Sequence, residues 1–263
     1  MRRFEGKGVI VTGAGAGIGR ATAQRFASEG ADVMLVGRTH LTLDETAELI
    51  GSEGGSAWAH PCDVRDSAEV RGAVAAARAR WGGRIDVLVN NAGIDDETPF
   101  LEMTEEKWRA VVETNLTGPF LFSRAVAPVM VHMGGGVILH NASIDASGGD
   151  GPFASYNSSK AGLLGLNRTM ALELGQYGIR VNCVSPGFTH TDMTERAVGP
   201  AMMEYLNGQF ARVPMRRLVK PSEIAAAFAF LASDDASGIT GIDLTVDCGL
   251  TADWFILETL PAL

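Results

Sequence analysis

Tyr156 and Lys160 stand four residues apart in Ser155-Tyr156-Asn157-Ser158-Ser159-Lys160-Ala161. On a helix, positions i and i+4 share a face, so this spacing projects a phenol and an ammonium into one cleft. Such a pair can move a proton: a phenol titrates near pH ~10 in isolation, and a fixed cation beside it favours phenolate. With three tyrosines and four lysines in 263 residues, chance produces the spacing only roughly 0.05 times, which makes it suggestive on its own. Ser143 lies thirteen residues upstream, just beyond the apolar run Val137-Ile138-Leu139, and keeps the pair company.

A second site opens the chain. The strand-like Val9-Ile10-Val11 runs into Thr12-Gly13-Ala14-Gly15-Ala16-Gly17-Ile18-Gly19 and then into a helical pattern. Glycines there permit a tight turn and close backbone approach to a pyrophosphate held at the positive end of the following helix, which points to a dinucleotide. The end of the second strand should meet the adenine ribose. It carries Gly37-Arg38-Thr39, with a guanidinium and no carboxylate, which favours the 2′-phosphate of NADP over the 2′-hydroxyl of NAD. NAD stays open as the alternative, with Arg38 stacked on adenine.

These residues need a scaffold, and the hydrophobic pattern supplies one. Short β-branched runs alternate with longer amphipathic stretches: Val9 to Val11, Ile18 to Glu29, Val33 to Val36, Leu43 to Glu53, Ala57 to Cys62, Ala68 to Trp81, Val87 to Val89, Glu105 to His132, Val137 to Leu139, Tyr156 to Gln176 and Ile179 to Val184. The alternation predicts an α/β fold, a Rossmann-type doubly wound parallel sheet in three layers. At 263 residues and 46% hydrophobic content the chain reads as a single domain, 1–263. The rhythm breaks between Gly187 and Leu218, a stretch with Gly199-Pro200 and scattered Phe and Met side chains. It is expected to be a partly helical substrate lid, 187–218.

A net charge of -9 with no Lys/Arg run longer than a pair argues against nucleic acid as a partner. Cys62, Cys183 and Cys248 are widely separated and lack metal-ligand spacing, so they read as buried reduced thiols with no metal. No apolar run approaches membrane-spanning length, and the start lacks an apolar signal core, so no membrane partner and a cytoplasmic location are expected.

Taken together, the motifs resemble the short-chain dehydrogenase/reductase family in its single-domain branch, from Lys7 to Gly249. Thr12 to Gly19 matches its Thr-Gly-x-x-x-Gly-x-Gly turn, Asn90-Asn91-Ala92-Gly93 its Asn-Asn-Ala-Gly, and Tyr156 to Lys160 its Tyr-x-x-x-Lys. The resemblance implies that Tyr156 is the catalytic acid/base, that Ser143 bonds the substrate oxygen, and that Lys160 holds the nicotinamide ribose and lowers the phenol's pKa. Asn115 would anchor a water that leads protons to solvent. It further implies cofactor contacts from Gly13, Gly15, Ala16, Gly17, Ile18, Gly19 and Arg38, and from Asp63 at the adenine amino group with Val64 beside it. Asn90, Asn91, Ala92 and Gly93 would lie along the ribose, and Pro186, Gly187, Thr189 and Thr191 at the nicotinamide. Thr189 stands where an aliphatic residue is usual, Cys248 replaces a common glycine, and the turn Ala14 to Ile18 lacks the basic residue that many NADP-using members carry.

By the same analogy Ile94, Asp95, Ile144, Asp145, Phe153 and Met193 would line the substrate pocket. Its acidic groups could bond hydroxyls or simply be solvated, and they favour a small neutral secondary alcohol or ketone over an anionic carrier thioester. The expected activity is therefore hydride transfer between a nicotinamide dinucleotide and such a substrate. A 3-oxoacyl thioester reductase and a non-catalytic dinucleotide-binding regulator are the alternatives. His190 reads as a packing or solvated residue. The family habit and the apolar tail within 250–263, at Trp254, Phe255, Ile256 and Leu257, imply a homotetramer.

Overall fold

The computed structural model describes residues 2–208 and 210–252, without the side chains of 192, 193 and 196–198. Trp254 to Leu257 lie outside the described residues, and so does the Met193 side chain.

Seven parallel strands form one sheet in the order β3-β2-β1-β4-β5-β6-β7. They are β1 (Gly8–Thr12), β2 (Asp32–Gly37), β3 (Ser56–Pro61), β4 (Val87–Asn90), β5 (Gly136–Asn141), β6 (Ile179–Pro186) and β7 (Asp243–Val246). The strands are continuous apolar runs because both faces of the sheet are covered. Alternation then splits each strand between two cores. Val9, Val11, Val33, Leu35, Val87 and Val89 pack with Phe26 and Phe228 on one face. Ile10, Met34, Val36 and Leu88 pack with Val70, Phe122 and Val126 on the other. That period of two is what a strand imposes on side-chain direction.

Helices α1 (Gly17–Ser28), α2 (His40–Ser52) and α8 (Pro221–Ala232) lie on the first face. Helices α3 (Ser67–Arg80), α5 (Gly118–Met133) and α6 (Ala154–Leu174) contribute to the second. The stretch expected as one helix from Glu105 to His132 divides into α4 (Glu105–Val112), a π-helical turn (Glu113–Thr117) and α5. Helix α8 was not singled out from the sequence; its Pro221 at the first turn and the Glu223 carboxylate bonding the Lys220 N–H at 2.8 Å mark its start.

Between 187 and 218 the chain leaves the sheet, forms α7 (Asp192–Leu206) and returns through a bridge between Thr189 and Val219. Helix α7 breaks at Gly199 (φ 73°), followed by Pro200. Phe210 joins this segment together, 5.6 Å from the Phe188 ring and 6.1 Å from that of Tyr205. Cys62 and Cys183 are buried as expected, whereas Cys248 is only half-buried, in a left-handed backbone conformation (φ 56°).

Candidate active site

The sheet order reverses between β1 and β4, and the loops leaving their carboxyl ends part to form a crevice. Gly13 lines it at φ 65°. A Cβ there would stand 2.8 Å from Ala92 Cα and 2.9 Å from Asn91 Nδ2, so the two loops touch only because Gly13 has no side chain. A Cβ on Gly19 would overlap the Gly13 carbonyl oxygen. Thr12 Oγ1 accepts from the N–H groups of Asn91 (2.9 Å) and Ala92 (3.0 Å), tying the turn to the Asn-Asn-Ala-Gly loop. Ala16, the N-cap of α1, makes no side-chain cap, and no acidic residue occupies the first turn. These unfilled helix N–H groups and the bare glycine turn form a cradle that fits a pyrophosphate.

A small cavity of about 130 Å³ continues from this turn, walled by Gly13, Arg38, Asp63, Val64, Ala92 and Gly93, with Ile94. Arg38 is exposed at its rim. Asp63 differs from expectation: its carboxylate already receives the Arg65 guanidinium, at 3.0 and 2.6 Å, so an adenine amino group would have to share it. That hydrogen bond, above all, holds Asp63 below the usual carboxylate range. Asn90 differs too. Its amide turns into the core toward Ser123 (3.1 Å) and His140 (3.3 Å), away from the crevice.

On the other side of the switch point lies a larger cavity of about 390 Å³. Ser143, Tyr156, Asp95, Ile144, Asp145 and Phe153 line it, facing Ile18, Pro186, Gly187, Thr189 and Thr191. The expected substrate and nicotinamide residues thus share one chamber, except that Ile94 belongs to the smaller cavity and the Met193 side chain lies outside the described residues. Thr191 caps α7 by accepting from Thr194 N–H at 3.3 Å, and Thr194 Oγ1 donates to the Thr189 carbonyl at 2.6 Å.

Tyr156 and Lys160 come from α6 as the spacing predicts, with Lys160 Nζ 5.4 Å from the centre of the phenol ring. The Lys160 ammonium is buried and donates to the Asn141 carbonyl at 2.6 Å. Burial pulls it down to about 8, with Cys183 and Asp145 acting the other way. Tyr156 and Ser143 both line the cavity, and Ser143 works against the rise of the phenol's pKa. The lowered phenol that the resemblance implies is not present here: burial raises Tyr156, Asp145 and Asp95 add to the rise, and only Ser143 opposes it. At neutral pH this phenol is a proton donor.

Asn115 occupies the π turn, where the widened backbone faces its side chain toward Ile94. Its amide accepts from Ile94 N–H (2.9 Å) and donates to the Ile94 carbonyl (2.8 Å) and Ser159 Oγ (3.1 Å). Ser159 in turn donates to the Tyr156 carbonyl at 2.7 Å, which links the turn to the face of α6 that carries Tyr156.

Sequence reasoning missed Asn141 and Glu97, both on the cavity wall. Asn141 carries the carbonyl that fixes Lys160, and its amide donates to Asn91 Oδ1 at 3.0 Å. Its position at the carboxyl end of β5 was the available signal, because ligands of open α/β sheets bind along that edge.

A dinucleotide crevice at the switch point of a doubly wound sheet, opening on a Ser-Tyr-Lys chamber, defines a nicotinamide-dependent oxidoreductase. Comparison with known proteins agrees. Residues 13–251 match the family model described as Enoyl-(Acyl carrier protein) reductase. The 3-oxoacyl-[acyl-carrier-protein] reductase FabG of Thermotoga maritima is 38% identical over 248 residues, 94% of this chain and 99% of that protein. A 7 alpha-hydroxysteroid dehydrogenase solved with NADH and 7-oxo glycochenodeoxycholic acid superposes with a TM-score of 0.89 at 38% identity, over 94% of this chain and 95% of that one. A structure from Beutenbergia cavernae described as an NAD(P) dependent gluconate 5-dehydrogenase, with NADP bound at low occupancy, gives 0.88 at 36% identity, over 95% and 98%. The chain belongs to the short-chain dehydrogenase/reductase family, whose enzymes act on CH–OH and carbonyl groups. Among the described residues no helix is long and apolar enough to cross a membrane.

Proposed function

We propose that this enzyme moves a hydride between NADP, in preference to NAD, and a small neutral secondary alcohol or ketone. The carrying observation is that Tyr156 and Ser143 share the wall of the larger cavity, with Lys160 Nζ 5.4 Å from the centre of the phenol ring. In alcohol oxidation a bound dinucleotide would supply the hydride acceptor, and the O–H proton passes to Tyr156 Oη as phenolate, its own proton having first left to solvent. In ketone reduction Tyr156 returns that proton to the oxygen. Ser143 bonds the same oxygen, on which negative charge develops as the hydride moves, so both hydroxyls act more strongly on the transition state than on the substrate. Lys160 holds the nicotinamide ribose, and Asn115, fixed through Ile94, orders the water through which the proton leaves. Residues 187–218 serve as the lid of this single domain.

Charge selects the substrate. Asp95, Glu97, Asp145 and Asp150 line the cavity, and no Lys or Arg does so among the described residues. The lid cation Arg217 is held by both oxygens of Glu223 at 2.8 Å. This wall repels an acidic carrier and its thioester. The names of the matched family and of the FabG relative favour the second reading, a 3-oxoacyl thioester reductase. Arg38 at the rim, with no carboxylate at the end of β2, supports NADP. The exposed side chains of Phe100, Leu101 and Leu172 (76%, 97% and 84% exposed) favour packing against further copies in a homotetramer, and the cytoplasm is the location consistent with the whole.

The test follows absorbance of reduced nicotinamide over a panel of alcohols, ketones and a 3-oxoacyl thioester, with both nucleotides. Tyr156→Phe should bind NADPH normally and lose turnover by about a hundredfold or more. Arg38→Asp should weaken NADPH about tenfold and spare NADH. Full activity of Tyr156→Phe would refute the acid/base role, and preferred turnover of the thioester would establish the second reading.

A further inference from the structure

Ser143 has one hydroxyl proton and gives it to a neighbour. Its Oγ donates to Asp145 Oδ2 at 3.0 Å and accepts from the Asp145 backbone N–H at 3.2 Å. A serine hydroxyl has a single donor proton, so Ser143 can donate to a substrate oxygen only by releasing Asp145. Asp145 is half-buried in the cavity wall. A sheltered carboxylate stripped of its donor weakens binding by about tenfold or more, unless the incoming molecule replaces that donor.

We propose that Asp145 is the specificity residue of this site and accepts a hydrogen bond from a hydroxyl on the carbon next to the reacting one, so that the substrates are vicinal diols and the matching α-hydroxy ketones. The inference rests on the acid/base reading above and deepens it. Spacing supports it. Ser143 Oγ and Asp145 Oδ2 are 3.0 Å apart, and two oxygens on adjacent tetrahedral carbons in a gauche arrangement stand about 3 Å apart. The diol's oxygens therefore fit side by side on the serine and the carboxylate. The second hydroxyl takes over as donor to Asp145, and Ser143 turns its proton to the reacting oxygen with no bond lost in the exchange. Burial, with Asp150 adding to it, already holds Asp145 above the ordinary carboxylate range, so a further donor is welcome there. In the reaction itself Asp145 neither gains nor loses a proton. The carbinol loses its hydride to the dinucleotide and its proton to the Tyr156 phenolate, and the neighbouring hydroxyl leaves unchanged. Asp95, Glu97 and Asp150 share the cavity, but Asp145 is the carboxylate in direct contact with Ser143.

The experiment measures kcat/KM with wild-type enzyme for three probes of equal carbon number: a butanediol with adjacent hydroxyls, the matching secondary butanol, and the analogue with an amino group beside the carbinol. The diol should exceed the monofunctional alcohol by at least about tenfold, mainly through KM, and Asp145→Ala should bring the ratio to within about twofold. Thermal melting and NADPH fluorescence titration verify that the variant is folded. Should it not fold, Asp145→Asn keeps the volume and one acceptor oxygen without the charge, and it should lower the ratio by a smaller factor. Turnover of the alcohol with no diol preference, a preference that survives both substitutions, or better use of the amino alcohol would each overturn the inference while leaving the dehydrogenase reading intact. Absence of turnover for every alcohol and ketone with either nucleotide would overturn both.

Discussion

His140 sets a pH limit on the fold that can be calculated. It lies near the end of β5 with no exposed surface, its Nδ1 3.3 Å from Asn90 Nδ2 and its Nε2 without a partner among the described residues. Cys183 of β6 pairs with it in the sheet register. Burial, with Lys160 adding to it, pulls the imidazole down to about 4. In the unfolded chain it titrates near ~6.5. Above that pH the ring is neutral in both states and adds no pH dependence. As pH falls from about 6.5 to about 4, the unfolded chain binds a proton that the folded chain excludes. Stability then declines by about 1.4 kcal/mol per pH unit, or about 3 kcal/mol in all, and the loss stops below about 4. Against a typical stability of about 5–15 kcal/mol that is a large fraction. His140→Asn removes the titration while leaving a group that can bond Asn90. Urea unfolding followed by tryptophan fluorescence, on both proteins from pH about 7.5 to about 4.5, should give stability curves that run parallel above pH ~6.5. By pH ~5 the wild type should have lost about 2 kcal/mol more than the variant. Curves that stay parallel throughout would refute the neutral buried imidazole. The next residue, Asn141, holds Lys160 through its carbonyl, so activity should fail along with the fold on this acid limb.

Two further outcomes follow from the crevice and the chamber. Gly19→Ala places a methyl against the Gly13 carbonyl oxygen and 2.5 Å from Asn91 Nδ2, so α1 must shift. NADPH affinity in a fluorescence titration should fall by about tenfold or more, with a loss of about 1–3 kcal/mol in urea unfolding, and unchanged affinity would show that the turn does not hold the pyrophosphate. Asp95→Asn removes a charge that helps raise Tyr156, so alcohol oxidation at pH ~7 should speed up by about two- to fivefold and its pH profile should move toward lower pH. An unmoved profile would mean that Asp95 does not act on the phenol.

Much of this was legible because helices and strands impose periods on side chains. The four-residue step from Tyr156 to Lys160, the glycines from Gly13 to Gly19 and the apolar runs of β1, β2, β4 and β5 each carry a local geometric signature. What escaped lacks one. The π turn at Glu113–Thr117 reads as plain helix, since a shift to i→i+5 bonding leaves no mark in hydrophobic spacing and yet decides where Asn115 points. The carbonyl that fixes Lys160 belongs to Asn141 regardless of side chain. The raised phenol is a sum over burial and carboxylates from separate loops, and the engagement of Asp63 by Arg65 depends on rotamers at a loop.

Main-chain anchoring separates the two jobs of this site. Lys160 is held by a carbonyl of Asn141, Asn115 by the N–H and carbonyl of Ile94, and Ser159, which Asn115 bonds, by the carbonyl of Tyr156. These side chains are thus held by main chain of β5, α6 and the loop after β4, and side-chain exchange in the cavity leaves those anchors in place. The carboxylates, Phe153 and Phe188 stand on loops and on the lid side of the cavity, free of those bonds. Substrate choice in this enzyme should therefore follow the wall. Asp145 is where the two meet, because its carboxylate faces the cavity and also holds the proton of Ser143.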